Sequence, residues 1–468
     1  MKKILYPLLA VLVMITACEP KIDDFEAKSG DADFTTYVAL GNSLTAGYAD
    51  GALYKSAQQH SYPAILASLF NQAGGGAFVQ PVVDNEDGLW PGKRVLGPST
   101  DCKGVTSLAP VSAGGTPTGL PGAIAHVQYA VNNLGVPGAK TLHLLAPNYG
   151  NPAGLQTFPP TANPYFVRFA TESGTSVLAD AMKLNPTFFT LWIGNNDVLG
   201  YALAGGENPI GETVTDAATF AYGYDLLVNG LTSQGAKGAV ANIPDITSIP
   251  FFTTVPAMGL LLDQATADQL NGAYSQVEQY VQSLGIPNFQ YDIEFKAGYN
   301  GFVIEDRNFP YPTLPKALRV RQAKANELIL LTVPQDSLKC AGMGSFNTVD
   351  SKPYGIPQHL VLDEEEILNI QTAVAAMNTT IQEIANQKGL AFVDIATELT
   401  KGKSGIIYDG VTFTTKFVTG GFFSLDGVHM NSQGAAVIAN YFVDAINAKY
   451  NANIPKAEIT NYPGIKFP

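Results

Sequence analysis

Cysteine, histidine and charge are all scarce in this chain. Three cysteines occur in 468 residues, and no two stand as C-x-x-C, so a structural zinc or redox motif has little support. Of the five histidines, His60, His126, His143, His359 and His429, none forms an HxxxH or HxH pair, which leaves a His-based metal site without a pattern. Charged side chains make up 14% of the chain, well below the roughly 25% of an average soluble domain. The charge present is mostly acidic, 27 basic against 40 acidic residues for a net −13. Such a surface repels phosphate backbones and argues against a nucleic-acid partner. Low charge does not mean disorder here, because 46% of the residues are hydrophobic and 10% aromatic, ample for a packed core. The 46 glycines and 30 prolines point to many ordered turns and long surface loops. There is no internal repeat, and the length fits one large domain with insertions or two to three ordinary ones.

The N-terminus reads as a targeting segment. Met1-Lys2-Lys3 is followed by an apolar run of 12 residues, Ile4 to Ile15, interrupted by Pro7. That is too short for a spanning helix, which needs about 20 residues, but it suits the apolar region of a secretory signal. No later apolar run is long and uninterrupted enough to cross a bilayer. Ile15-Thr16-Ala17-Cys18 resembles a bacterial lipobox, with Ile where Leu is commonest. The resemblance implies a signal peptide over 1–17, cleavage before Cys18 and a lipid on that cysteine. The alternative is an ordinary secretory signal with an incidental Cys. Residues 18–34 are polar and acidic and read as a flexible tether, and acidic residues just after the Cys resemble surface-export signals of some Gram-negative lipoproteins. An outer-membrane lipoprotein on the periplasmic or surface face is the expectation. Cys102 and Cys340 then remain as an even pair in an oxidising compartment. Both lie in loop-like stretches, either bridged or as two unpaired thiols.

Downstream, short apolar strands alternate with amphipathic helices. Strands are expected at Thr36 to Leu40, Val127 to Asn132, Thr187 to Ile193, Gly238 to Ile243 and Ala391 to Ile395. Helices are expected at Tyr62 to Asn71, from about Asp216 to Leu231, from Asp363 onward and from about Ser432. Asp363 with Glu366 makes a capping box, and Ile367, Ile370, Val374, Met377, Ile381 and Ile384 keep spacings of three and four. This alternation suggests a parallel sheet covered on both faces. Two long inserts interrupt it, at about 50–124 and 245–362; the second includes an expected helix (Ala265 to Leu284) and strand (Glu327 to Val333). The domain is expected over 35–450, with 451–468 as a C-terminal tail.

In such folds catalytic groups sit beyond the carboxyl ends of the strands. Ser43 stands there, in Gly41-Asn42-Ser43-Leu44, although Ser beside Gly is also ordinary turn chemistry. Gly138 follows the second strand, where a Gly lets backbone N–H approach a ligand closely. Gly194-Asn195-Asn196-Asp197 follows the third, as an amide donor or as an Asx-type turn. Asp426 and His429 stand three positions apart, so one turn can aim the carboxylate at one ring nitrogen and leave the other free as a base.

Taken together, these four places, in this order, resemble the blocks of the SGNH hydrolase (GDSL esterase/lipase) family. Asn42 stands where Asp is usual and Met430 where many members carry Pro. The resemblance runs from about Thr36 to Tyr450. It implies an α/β fold: a flavodoxin-like, three-layer α/β/α sandwich with a five-stranded parallel sheet, here carrying two long inserts. These inserts resemble those of large secreted members from Bacteroidetes-type bacteria. The implied chemistry is hydrolysis of a carboxylic ester, either a lipid ester or an O-acetylated glycan, through an acyl-enzyme. Ser43 would be the nucleophile, His429 the base and Asp426 its orienting partner. The oxyanion would be held by the N–H groups of Ser43 and Gly138 and the side-chain amide of Asn196. Asp197 reads as structural. No cofactor or metal is implied. Two other classes remain open: a lipoprotein that binds glycan or lipid without catalysis, and an acyltransferase using the same triad. In the second insert, Phe251-Phe252 and Met258 to Leu262 are an acyl-chain lid or local core, and Asn308 to Pro312 an aromatic shelf or a rigid loop.

Overall fold

The computed structural model describes residues 25–119, 126–207, 212–402, 404–408 and 410–468. The expected signal peptide over 1–17 and the expected lipid site Cys18 lie outside the described residues. At the centre are five strands: β1 (Tyr37–Gly41), β2 (Asn133–Gly135), β3 (Phe188–Trp192), β4 (Lys237–Ala241) and β5 (Ala391–Val393). All neighbours are parallel, in the spatial order β5-β4-β3-β1-β2. Because both faces are covered, β1 and β3 are buried at every position and read as continuous apolar runs.

The helices that matter for the site and its support are α1 (Ser43–Ala46), α2 (Tyr62–Asn71), α3 (Val177–Lys183), α4 (Asn196–Leu203), α5 (Ala217–Thr232), α6 (Gln264–Ser283), α7 (Glu364–Lys388) and α8 (Ser432–Tyr450). α2 and α8 pack together on one face of the sheet, while α5 packs with α7 and α3 on the other. This is a three-layer α/β/α sandwich with the flavodoxin-like strand order. Local chemistry explains several boundaries. The Asp363 side chain accepts from the N–H of Glu365 and Glu366, while Glu366 reaches back to the N–H of Asp363. At the other end of α7, Gly389 takes the left-handed conformation. In the core Tyr62 stacks on Phe442 and meets Trp192 edge-on, joining α2, α8 and β3.

Several boundaries differ from the expectation. The second strand is not at Val127 to Asn132 but at Asn133–Gly135. The earlier segment leaves the ladder before Asn132: Val127 N–H bonds the Arg168 carbonyl, while Asn132 joins β1 through its carbonyl on Ala39 N–H and its side chain on the Tyr37 carbonyl. β5 stops at Val393 because Asp394 caps the next helix, Ile395–Lys401. Of Glu327 to Val333, only Leu328–Ile329 forms a ladder; Glu327 is turned into a bidentate pair with Arg321. The stretch 451–468 is packed, not a free tail: Ile454 and Ile459 are buried, and Asn447 and Asn440 bond the backbone of Ile454 and Ala457 at both N–H and carbonyl. Packing also begins inside the expected tether, since Ala32 and Phe34 are buried and Lys28 pairs with Asn453.

The second insert has a small core of its own, where α6 packs through Tyr274 and Val277 against Phe289, Phe295 and Phe346. Phe309 and Tyr311 pack on Phe289, and Phe251 and Phe252 are buried. The local-core reading therefore describes Phe251-Phe252, whereas Met258 and Leu261 are exposed, and Tyr311 is packed on one side and exposed on the other. The first insert carries a hairpin, Arg94–Thr100 paired with Thr106–Ser112. A disulfide between Cys102 and Cys340 joins it to the second insert, reinforced by an ion pair of Lys339 with Asp101 at 2.9 Å.

Candidate active site

The strand register brings the site together. Gly41 pairs with both Gly135 and Trp192, so β1, β2 and β3 end level with one another. Ser43, Gly138 and Asn196 each follow one of these ends within four residues. The strand order reverses at β1 and β3, and at such a switch point the loops splay apart and leave a crevice. Gly41 is obligatory, because a Cβ there would lie 2.4 Å from the Trp192 carbonyl oxygen.

Ser43 opens α1, whose N-terminus is capped by Asn42 Oδ1 accepting from Leu44 N–H at 3.0 Å. Asn42 Nδ2 also donates to Asn195 Oδ1 at 3.4 Å, tying the β1 loop to the β3 loop. Asn therefore supplies the capping oxygen that an Asp would, and adds a donor. Ser43 Oγ lies 2.8 Å from His429 Nε2, and His429 Nδ1 lies 2.9 Å from Asp426 Oδ2. The other Asp426 oxygen accepts from the N–H of Val428 at 2.9 Å and of His429 at 2.8 Å, and Oδ2 accepts from Gly51 N–H at 3.0 Å. Burial alone would raise this carboxyl, but the adjacent imidazole and these hydrogen bonds outweigh it and hold the pKa at about 2. A fixed carboxylate on Nδ1–H leaves Nε2 to accept the Ser43 proton.

Three donors surround the hydroxyl. Gly138 has φ +81°, a left-handed conformation that favours glycine, and the Pro137 carbonyl before it is held by Asn163 Nδ2 at 2.8 Å. Among the described residues, no protein acceptor takes the N–H of Ser43 or of Gly138. Asn196 spends one amide hydrogen on the Ala139 carbonyl at 2.9 Å, which orients the side chain and leaves the second hydrogen for the crevice. Asp197 is buried and accepts from Thr141 N–H and Oγ1, both at 2.9 Å, so it fastens the Asn196 loop to the loop after β2. Burial raises its pKa.

Ser43, Asn196, Val428 and His429 stand between two clefts. One is narrow, about 40 Å³, and walled by apolar side chains including Trp192, Ile246, Leu399, Phe422 and Met430. The other is wide, about 710 Å³, and is lined by Tyr48, Gly138, Tyr165, Phe251 and Leu331, with Arg94 on its wall.

The structure thus brings Ser43, Gly138, Asn196, Asp426 and His429 to one place; Cys102 and Cys340 lie elsewhere, in the strap between the inserts. His60, His126 and His143 bond their own surroundings away from the triad. Among the described residues no group of three or more His, Cys, Asp or Glu could hold a metal ion, and no helix is long and apolar enough to cross a membrane. Three participants carried no sequence signal. The Tyr48 ring packs on the His429 imidazole with centroids 4.7 Å apart, and its hydroxyl donates to the Gly51 carbonyl. Gly51 in turn serves Asp426, and Asn163 sets the Gly138 turn.

No family model matches the chain, and no curated protein matches it. Among solved structures, the chain is similar to an acetyl xylan esterase, AlAXEase, at 11% identity and TM-score 0.31, covering 87% of this chain and 98% of that one. It is also similar to a lipase/acylhydrolase from Enterococcus faecalis at 10% identity and TM-score 0.31, covering 90% and 99%. At these values the likeness carries no argument about activity, which has to come from the site.

Proposed function

We propose that this chain is a serine hydrolase of carboxylic esters, of SGNH type, working through an acyl-enzyme. The observation that carries the reading is the unbroken chain from Asp426 Oδ2 through the His429 ring to Ser43 Oγ, in steps of 2.9 and 2.8 Å, beside the N–H groups of Ser43 and Gly138 and the amide of Asn196. A serine hydroxyl is a weak nucleophile until a base takes its proton. His429 takes that proton as Oγ attacks the ester carbonyl. Asp426 holds the imidazole in the tautomer that can accept at Nε2 and stabilises the imidazolium that forms. The carbonyl oxygen, now an oxyanion, receives hydrogen bonds from the three donors; removing one such donor typically costs about 10²–10³ in turnover. His429 then protonates the departing alcohol. Water, activated by the same ring, hydrolyses the acyl-serine.

The narrow apolar cleft supports a short acyl group. At about 40 Å³ against about 710 Å³ it is much the tighter of the two clefts, and its walls are apolar, which suits a small acyl group such as acetyl. The wide cleft takes the alcohol. We further propose that the mature chain begins at Cys18, carries lipid there, and is held at the outer membrane on its periplasmic or surface face. The motive is the basic start, the apolar run and the small residues ending at Cys18. Several acyl chains anchor firmly where one does so only marginally.

The test of the activity is a hydrolysis screen of p-nitrophenyl esters of rising chain length, alongside acetylated xylan, using the soluble form beginning at Glu19. Release of free acid by the parent chain but not by Ser43→Ala supports the reading; equal activity in the two refutes it. Acyl found on an added alcohol instead of free acid would make the protein an acyltransferase. Mass spectrometry of the membrane fraction tests the anchor, and a soluble product cut elsewhere than before Cys18 removes it.

A further inference from the structure

Five arginines occur in the whole chain. Arg307 and Arg321 are ion-paired, Arg168 is buried and Arg319 is half-buried with its Nε enclosed, but Arg94 is exposed on the wall of the wide cleft. Its backbone is fixed: Arg94 N–H donates to the Asp50 carbonyl at 2.8 Å, and the residue begins a seven-residue hairpin strand. Its side chain passes over Gly51, where a Cβ would stand 3.8 Å from Arg94 Nε. Gly51 is the residue whose N–H holds Asp426 Oδ2, so the guanidinium sits one residue away from the triad carboxylate.

The neighbouring charges are already committed. Lys93 pairs with Glu86 at 3.1 Å and lies over the Tyr54 ring. The Asp50 carboxylate accepts from Tyr54 Oη at 2.5 Å and from Leu425 N–H at 2.9 Å. Asp426 accepts four hydrogen bonds of its own. Among these charges beside the wide cleft, Arg94 is the one with no ion pair or side-chain hydrogen bond to the described residues. In a chain of net charge −13, this places an unsatisfied, forked cation where the alcohol part of an ester would lie.

We propose that Arg94 is an anion-recognition residue, and that the preferred ester bears a carboxylate or phosphate on its alcohol side. The proposal rests on the esterase reading and deepens it. The narrow cleft, apolar and without a cation, takes the acyl group; the guanidinium takes the acidic group of the alcohol in a bidentate, charge-assisted contact. A uronic acid and a glycerol phosphate offer the same chemistry to such a fork.

The experiment compares kcat/KM within two matched pairs, using the soluble chain beginning at Glu19. One pair is a methyl O-acetyl-glucuronoside against the corresponding glucoside; the other is a monoacetyl glycerol phosphate against monoacetin. In at least one pair the acidic ester should be favoured by about tenfold or more, the size expected of a hydrogen bond to a charged group. High salt should shrink that preference. Arg94→Gln should bring the ratio to about one, and Arg94→Lys, which keeps the charge but not the fork, should leave an intermediate value. Which pair responds identifies the source of the anion. A ratio near one for both pairs in the parent chain overturns the proposal, as does a preference that survives in Arg94→Gln. Turnover of p-nitrophenyl acetate without turnover of either acidic ester overturns it as well. Failure on every ester, p-nitrophenyl acetate included, overturns the esterase reading instead.

Discussion

Replacing Asp426 by Asn exchanges one oxygen for an NH₂ group and alters three things at once. The carboxylate accepts four hydrogen bonds and has no donor to give. An amide has one oxygen, which is best spent where the N–H groups of Val428 and His429 converge. Its NH₂ then faces Gly51 N–H and the imidazole. Two donors face each other at Gly51, which costs about 1–3 kcal/mol of stability. At the imidazole the NH₂ donates to Nδ1, so the ring proton moves to Nε2 and the base can no longer accept from Ser43. The charge is lost too. The adjacent imidazole and the hydrogen bonds from Val428 and His429 hold the carboxyl at about 2, below its ordinary value, so at neutral pH the imidazolium faces a full negative charge that an amide lacks. Losing that charge and gaining the wrong tautomer together cost about 10³–10⁴ in kcat. The assay is kcat on p-nitrophenyl acetate with thermal unfolding in parallel. A large loss of kcat with a melting temperature lower by a few degrees is expected. A loss under about tenfold would refute the argument, since it would mean the imidazole keeps its tautomer without the carboxylate. The same depression sets an acid limit. Stability from Asp426 is fully present above its unfolded pKa near 3.8 and is lost as pH falls toward 2.

Ser43→Ala and His429→Ala should each abolish hydrolysis nearly completely, and the double variant should be no worse, because nucleophile and base act as one unit; additive losses would show that they do not. Asn196→Ala should lower kcat by about 10²–10³ with little change in KM, since its free amide hydrogen is proposed to meet the oxyanion and not the ester; if the residue only braces Ala139, melting temperature falls and kcat stays. Among p-nitrophenyl esters, acetate should surpass octanoate in kcat/KM, because the narrow cleft of about 40 Å³ has no room for a long chain; equal values would place the acyl group in the wide cleft. Cys102→Ser opens a disulfide across a separation of 238 residues, for which the chain-entropy model gives an upper bound of about 5.5 kcal/mol; an unchanged melting temperature would show that the bridge constrains nothing.

What could be read from the sequence was local and periodic. β3 was legible as Thr187 to Ile193 because a doubly covered strand leaves a continuous apolar run, and α7 because its cap and its spacing agree. The Asp426–His429 spacing was legible because both partners lie within one turn. β2 was not, since three residues, Asn-Leu-Gly, carry no alternation, and the more apolar segment before them starts away from the sheet, with Val127 N–H on the Arg168 carbonyl. The packed C-terminus was missed for a similar reason: nothing in its composition shows that Asn440 and Asn447 will clamp it. Tyr48 on His429 and Gly51 on Asp426 join positions about 375 residues apart, as the Gly51 contact shows. No window along the chain contains such a pair.

The two inserts divide the work of the site with the sheet. Ser43, Gly138 and Asn196 belong to strand ends whose level is set by ladder register, so the chemistry rests on the stiffest part of the molecule. The cleft around that chemistry is built from elsewhere. Gly51 and Arg94 come from the first insert, and Phe251, Leu331 and Thr332 from the second. Left independent, two such walls could move apart and lose their grip on a substrate. They are held at two levels. Phe251 N–H bonds the Gly427 carbonyl and Leu331 N–H bonds the Phe251 carbonyl, which stitches the second insert to the Asp426 loop. Farther out, the Cys102–Cys340 bridge and the Lys339–Asp101 pair fasten the hairpin bearing Arg94 to the second insert. Long insertions are cheap in loop entropy, so a sheet with a fixed triad can carry walls of very different shape. On the proposed reading, the reaction is set by residues at the strand ends, and the choice of ester by insert residues such as Arg94, Phe251 and Leu331, about fifty positions or more from Ser43 in the chain and brought back by a disulfide and a few backbone hydrogen bonds.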